Sequence, residues 1–426
     1  MNNSQNRSQN QILRNNRNNN KNQKQHFNIM AFPAGPVCNI ACDYCYYLDK
    51  KELYPDTDNF QMSEDLLEEY IKQYIESQPG PMISFGWQGG EPTLRGLDFY
   101  KKAVEYIEKY IPEEWQYEIS FQTNAIAIND EWAEFMAANN FLVGVSINGA
   151  AEFHNVYRKY KYGNATHERV MKGLKILQKH EVQYNILCVV NEANAQKPAE
   201  VYNFFREQGA EHIQFIPIVE TKDGEVTSRS VSPEEYGKFL IGAFDEWIFN
   251  GYGDIYVQIF EQCVSAWAGY GTSLCVFNET CGRAAVMEHN GDLYACDHFV
   301  FPEYKLGNIK ETHIEELMAS PQQQKFGKDK RDKLSQTCRN CDYLFICHGG
   351  CPKNRIEKAA DGNQINYLCQ GYKRFFEYID PYMQEIVKRI NQRQPPSIVK
   401  KQLQKMHDNI WDVGRNDPCP CGSGKK

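Results

Sequence analysis

The chain has 426 residues, 42% of them hydrophobic and 24% charged, and a formal net charge of −8; this suits an ordinary globular protein with room for two or three domains and argues against nucleic acid as its main partner. No run approaches the ~18–20 apolar residues that cross a bilayer, and the N-terminus lacks the apolar core of a signal peptide, so we expect a cytoplasmic protein that does not associate with membranes. In a reducing compartment, fifteen cysteines point to metal or redox chemistry and away from disulfides.

Residues 1–27 are rich in Asn and Gln and carry Arg7, Arg14, Arg17, Lys21 and Lys24 with no acid. Such a leader buries too little surface to offset its ordering entropy, so it is expected to be disordered. Short apolar runs then alternate with amphipathic stretches. The runs Asn28–Ala34, Met82–Trp87, Glu118–Thr123, Leu142–Ile147, Tyr184–Val190 and His212–Val219 read as strands. Helices are expected from Ser63, over Leu97–Tyr110, Asp130–Asn139, Thr166–His180 and Pro198–Gln208, and from Ser232-Pro233 onward. Strict alternation of this kind makes an α/β fold with a parallel sheet and right-handed crossovers. Six units are too few for a closed eight-stranded barrel. A partial (β/α)6 barrel over 28–255 is the reading; an open doubly wound sheet is the alternative. From 256 to 374 the alternation fails and cysteines crowd. Residues 375–409 suggest a helix and then a linker at Pro395-Pro396, and 410–426 form a tail of different character.

Eleven of the cysteines fall into two groups. Cys38, Cys42 and Cys45 are spaced C-x3-C-x2-C just beyond the first strand, and three thiolates leave one iron of a four-iron cluster without a protein ligand. Cys275, Cys281, Cys296, Cys338, Cys341, Cys347, Cys351 and Cys369 could close two more such clusters. Zinc held by the same thiols, in a binding protein without catalysis, is the competing reading. Cys188 and Cys263 fall outside both groups; Cys188 sits in an apolar strand as a small hydrophobe.

The triad, with Tyr44 before its third cysteine, resembles the radical S-adenosylmethionine (SAM) superfamily. The resemblance implies that the open iron is chelated by S-adenosylmethionine, whose reductive cleavage yields a 5′-deoxyadenosyl radical. Supporting segments sit at later strand ends. Gln88-Gly89-Gly90-Glu91-Pro92 resembles the GGEP segment, whose main chain would bind the methionine amino group. Gln122-Thr123-Asn124 resembles the polar strand end that lines the cofactor site. Ser146 matches a ribose-contacting serine and Arg158 an arginine that would pair with the cofactor carboxylate, for which a guanidinium fork is suited. Related maturases commonly carry Asp where this chain has Asn148. Tyr47 matches a tyrosine near the cofactor.

The spacing Cys281-x9-Gly291-x4-Cys296, followed by Cys338-x2-Cys341-x5-Cys347-x3-Cys351 and Cys369, resembles the SPASM domain of peptide-modifying radical enzymes. By that resemblance one auxiliary cluster uses Cys275, Cys281, Cys296 and Cys351, and the other Cys338, Cys341, Cys347 and Cys369. The protein would then hold three [4Fe-4S] clusters and S-adenosylmethionine. Within this group, the run from Cys42 to Lys50, the segment Phe215–Glu220 and the pair Cys296-Asp297 are similar to the anaerobic sulfatase-maturating enzymes. These oxidise one Cys or Ser of a target sulfatase, taken as an unfolded or peptide-like chain, to Cα-formylglycine. Asp297 matches their proposed base, and a flavodoxin- or ferredoxin-type protein is the expected electron donor. The alternative is a SPASM maturase that crosslinks a ribosomal peptide through thioether or carbon–carbon bonds. The tail, with Cys419 and Cys421, resembles a SEC-C zinc motif that lacks its last two ligands, and no stable metal is expected there.

Overall fold

A computed structural model describes residues 24–55, 57 and 59–411; most of the basic leader and the SEC-C-like tail lie outside the described residues. Strands form where apolar residues recur every second position. In β1 (Asn28–Phe32), β2 (Met82–Trp87), β3 (Gln116–Thr123), β4 (Phe141–Ser146), β5 (Tyr184–Val190) and β6 (His212–Pro217), one face is buried and the other partly open. Ile83, Phe85 and Trp87 of β2 are buried, as are Ile119 and Phe121 of β3, whereas Met82 is 39% exposed.

The buried face meets the crossover helices α1 (Glu64–Ser77), α2 (Leu97–Tyr110), α3 (Asp130–Ala138), α4 (Ala151–Tyr157), α5 (His167–Lys179) and α6 (Pro198–Glu207). Tyr100 of α2 stands edge-on to Trp87 and Phe121, with ring centroids 5.6 and 5.1 Å away. Helix starts carry their own signals. Ser63 accepts from the Leu66 N–H and Asn129 from the Trp132 N–H. Ser232 likewise accepts from the Glu235 N–H to open α7 (Pro233–Asn250), and each cap satisfies a donor the helix leaves free.

Strands β1 to β6 lie side by side in chain order, all parallel. A doubly wound sheet reverses direction at a switch point; this one does not reverse, which is the winding of a partial barrel. The later half of the chain extends both edges. β7 (Tyr256–Val257) adds to β6 in parallel, followed by α8 (Gln258–Trp267). At the opposite edge β8 (Ala284–Glu288) pairs in parallel with the whole of β1, and β9 (Asp292–Tyr294) and β10 (Lys305–Asn308) follow antiparallel. The short helices α9 (Ile314–Ala319), α10 (Pro321–Asp332), α11 (Gln336–Arg339) and α12 (Leu344–Cys347) carry or flank the later cysteines.

The helix α13 (Cys369–Asn391) begins at the last cysteine of the array and runs into the core through Tyr372, Phe375, Phe376, Ile379 and Tyr382. It crosses α7 closely, since a Cβ on Gly371 would stand 2.2 Å from the Pro233 carbonyl oxygen. Where the sequence suggests a linker, Pro396 instead opens a further helix, α14 (Pro396–Trp411). Proline is tolerated at a first helical turn because its missing N–H would have no partner there. Among the described residues no helix is long and apolar enough to cross a membrane.

Candidate functional site

The triad loop leaves the C-terminal end of β1 and is tied down by neighbouring strand ends. Ala41–Cys42 pairs antiparallel with Arg158–Lys159, and the Asp43 N–H donates to Tyr157 O at 3.0 Å. From β2, the Gly90 N–H donates to Gly35 O at 2.9 Å and the Glu91 N–H to Val37 O at 2.8 Å. The approach is so close that a Cβ on Gly90 would lie 2.1 Å from Val37 O. Gly89 takes a φ of +117°, a conformation that favours glycine.

Glu91 is buried and its carboxylate is fully engaged. It accepts from the Thr93 N–H at 3.1 Å, the Thr93 hydroxyl at 2.7 Å, the Thr123 hydroxyl at 2.7 Å and the Asn124 N–H at 2.8 Å. Burial pushes its acid up, against the pull of those donors. Its carboxylate thus staples the β2 loop to the end of β3. Asn124 in turn donates to Asn39 Oδ1 at 2.7 Å, inside the triad loop. At the end of β4, Ser146 Oγ accepts from Gln122 Nε2 at 3.0 Å. Gln88 and Gln122 line a cavity of about 170 Å³ on the open face of the sheet, together with Ser120, Asn185 and Gln214.

Arg158 is buried and donates to the Tyr44 hydroxyl at 3.3 Å, which Asn148 Nδ2 also reaches at 2.9 Å. Asn148 Oδ1 accepts from the Val189 N–H at 3.1 Å, so this amide both donates and accepts, which an ionised carboxylate cannot do. The three thiols are held protonated by their surroundings. Burial, then the Glu91 carboxylate, pushes Cys38 up to about 12. Burial likewise raises Cys42 and Cys45, with Arg158 opposing at both. Metal that binds here must displace those protons.

Tyr46 and Tyr47 part company. Tyr47 is buried, donates to Glu288 and stands edge-on to Phe32, with ring centroids 4.7 Å apart. Tyr46 is 40% exposed and donates to Asp297 Oδ2 at 3.3 Å, with its ring 5.3 Å from that of His298. The residue after Cys45 therefore touches the residue after Cys296. Cys296 Sγ donates to Asp297 Oδ1 at 3.1 Å. Burial raises Asp297, but His298, the Cys296 thiol and the Tyr46 hydroxyl outweigh it and hold the acid below its ordinary value. The sequence singles out Asp297 by its place after a cysteine, but not its contact with Tyr46, because adjacent residues on a turn point in different directions.

The array separates into two sets in space. The Cys275, Cys281, Cys296 and Cys351 thiols face one another, and so do Cys338, Cys341, Cys347 and Cys369. Burial pushes Cys347 and Cys351 each up to about 12. Cys188 and Cys263 are buried in the hydrophobic core. Among the described residues no three His, Cys, Asp or Glu side chains converge as a single ion would require. By their mutual electrostatic influence the thiols fall into groups of three, four and four.

Comparison with known proteins agrees. Residues 32–205 match the radical SAM superfamily, 275–342 the SPASM iron-sulfur cluster-binding domain, and 415–426 the SEC-C motif. A serine-type anaerobic sulfatase-maturating enzyme of Bacteroides thetaiotaomicron is 45% identical over 392 residues, 88% of this chain and 94% of that protein. A cysteine-type anaerobic sulfatase-maturating enzyme of Clostridium perfringens is 34% identical over 365 residues, 84% of this chain and 97% of that one. Native anSMEcpe with bound AdoMet and Cp18Cys peptide matches with a TM-score of 0.78 at 33% identity, over 86% of this chain and 100% of its own. With its two thiol groupings joined through Tyr46 and Asp297, and with relatives that span nearly their whole length, the chain belongs to the family of anaerobic sulfatase-maturating enzymes.

Proposed function

We propose that this chain oxidises a Cys or Ser side chain, presented in an extended peptide segment of a target sulfatase, to Cα-formylglycine. The observation that carries the reading is the Tyr46–Asp297 hydrogen bond, which sets a carboxylate between the open triad and the closed array. When bound, the triad cluster and S-adenosylmethionine supply the one-electron chemistry that removes a hydrogen atom from the target Cβ.

The protein's own groups do the rest. Cys38, Cys42 and Cys45 hold the cluster. An ammonium can only donate, so the loop from Gln88 to Gly90 would meet the cofactor's ammonium with its carbonyl oxygens, while the N–H groups of Gly90 and Glu91 hold the triad loop. Ser146 serves the ribose, and Arg158 the cofactor carboxylate. Asp297 accepts the proton that the target's hydroxyl or thiol loses as the carbon–heteroatom double bond forms, and Tyr46 orients it. A Ser target gives the aldehyde directly, whereas the thioaldehyde from a Cys target is hydrolysed by water with release of hydrogen sulfide. The second electron leaves toward the array, whose first set includes Cys296. A flavodoxin- or ferredoxin-type carrier supplies the reducing electron. The cytoplasm is the compartment that suits these thiols.

The test is anoxic reconstitution with a peptide carrying Cys/Ser-x-Pro/Ala-x-Arg. The higher identity to the serine-type relative makes the Ser peptide the first to assay. Formylglycine by mass spectrometry is expected; deoxyadenosine without a change in peptide mass would count against the assignment. Asp297→Asn should keep cofactor cleavage and lower product formation by about 10²–10⁴-fold, whereas undiminished product removes Asp297 as the base.

A further inference from the structure

Among the described residues, two buried cations that lie among the array thiols hydrogen-bond to backbone carbonyls and to no carboxylate. Lys330, on α10, is 1% exposed. Its ammonium donates to the carbonyl oxygens of Cys275 at 2.8 Å and Val276 at 3.0 Å. Arg355 is 7% exposed. It donates to the carbonyls of Gly349 at 3.0 Å, Lys330 at 2.6 Å, His348 at 2.9 Å and Gly350 at 3.5 Å. These acceptors are all neutral backbone oxygens.

A buried cation is costly unless an opposite charge faces it, and carbonyl dipoles offset only part of that cost. The groups facing these cations that can carry negative charge are cysteines, while the two cations also face each other and His348 faces Lys330. Cys281, Cys351 and Cys275, all of one set, face Lys330. Arg355 faces Cys338 and Cys347 of one set and Cys281 and Cys351 of the other. One cation therefore sits on a single set, and the second stands between both.

A four-iron cluster gains one negative charge when it is reduced. A fixed cation nearby in a medium of low dielectric favours the reduced form and raises the reduction potential. Hydrogen bonding to carbonyls accounts for the shape of the loop from Cys347 to Cys351, but neutral donors would serve that purpose as well. The charge calls for a separate reason.

We propose that Lys330 and Arg355 set the reduction potentials of the auxiliary clusters, Lys330 acting on the Cys275/Cys281/Cys296/Cys351 cluster and Arg355 on both. The inference rests on the ligand sets given above. The cluster that Lys330 biases includes Cys296, beside Asp297, and is the one placed to take the electron that the target residue gives up. With its cluster bound, that set would accept one electron for the one the target gives up, while Asp297 takes the proton.

The experiment is a potentiometric titration of the reconstituted holoenzyme, followed by electron paramagnetic resonance, with iron content measured on each sample. Lys330→Met should lower the midpoint of one auxiliary cluster and leave the other and the cofactor-binding cluster in place. Lys330→Arg should restore it, a rescue that a purely structural role would not track. Arg355→Met should lower both auxiliary midpoints; if its loop fails to fold, the Lys330 pair decides alone. Full iron with unmoved midpoints in Lys330→Met overturns the inference. Wild-type iron short of three four-iron clusters overturns the ligand sets, and this inference with them.

Discussion

The triad takes its three thiols from one loop, Cys38 to Cys45, whereas the array gathers eight from segments that begin at Cys275 and end at Cys369. The triad loop is fastened by parts that owe nothing to metal: the strand bridge to Arg158, the Gly90 and Glu91 N–H groups, and Asn124. The array is fastened mainly by the buried side chains of Gln323, Lys330 and Arg355 reaching backbone carbonyls, and among the described residues no continuous strand pairing ties its cysteines to one another. Cys338, Cys347 and Cys351 sit on short helices and turns, Cys369 opens the long helix α13, and each set brings together residues far apart in the chain. Metal at the triad is thus chemistry on a scaffold already built, while metal in the array is part of the scaffold.

Removing iron should break the two regions unequally, and this is the largest effect expected. Ligand binding at a structural metal site is itself folding free energy. After anaerobic chelation, hydrogen exchange should show strong loss of protection over 330–368, while β1 to β6 and α2 stay protected. The strands β8 to β10 should hold, because β8 pairs with the whole of β1. Equal loss in both regions would erase the distinction.

A smaller break comes from the triad side. Gly90→Ala forces a methyl group against Val37 O, where 2.1 Å is available. Overpacking of this kind costs about 1–3 kcal/mol, and here it pries the β2 loop from the triad loop. Deoxyadenosine formation should fall at least about tenfold, with the iron content of the array unchanged. If array iron falls as well, the two regions are not independent.

Both regions were partly readable before the fold was known. β2, β5 and α2 begin and end where their periodicity says, since a strand or helix covered on one face writes its period into the chain. β7 to β10 escaped because each is short and its partner is distant in sequence. The proline pair at 395–396 looks like a linker until α7 and α13 supply a surface for the next helix. Spacing marks the candidate ligands and position marks Asp297 as the candidate base. Lys330 and Arg355 look like surface cations in the sequence; only burial sets them apart. The Tyr46–Tyr47 pair shows the same limit, because which ring reaches Asp297 is decided by the turn.

The smallest effect tests whether the metal-independent scaffold of the triad rests on Glu91. In Glu91→Gln the amide oxygen can still accept from Thr93 and Thr123, but its NH2 meets the Asn124 N–H, donor against donor. The loss should be about 1–3 kcal/mol, seen as a lower Tm at pH 5. The direction with pH follows from the raised acid of the wild type, whose main cause is burial. A carboxyl raised above its unfolded value of 4.5 keeps its proton longer in the folded state. Its contribution is therefore full below about pH 4.5 and is lost as pH rises through the folded value. Wild-type stability should fall across that window and the Gln variant should lack that component, so the gap between them narrows as pH rises. A gap that widens instead would mean that the four donors, and not burial, govern Glu91, and that the scaffold holds the carboxylate in its charged form.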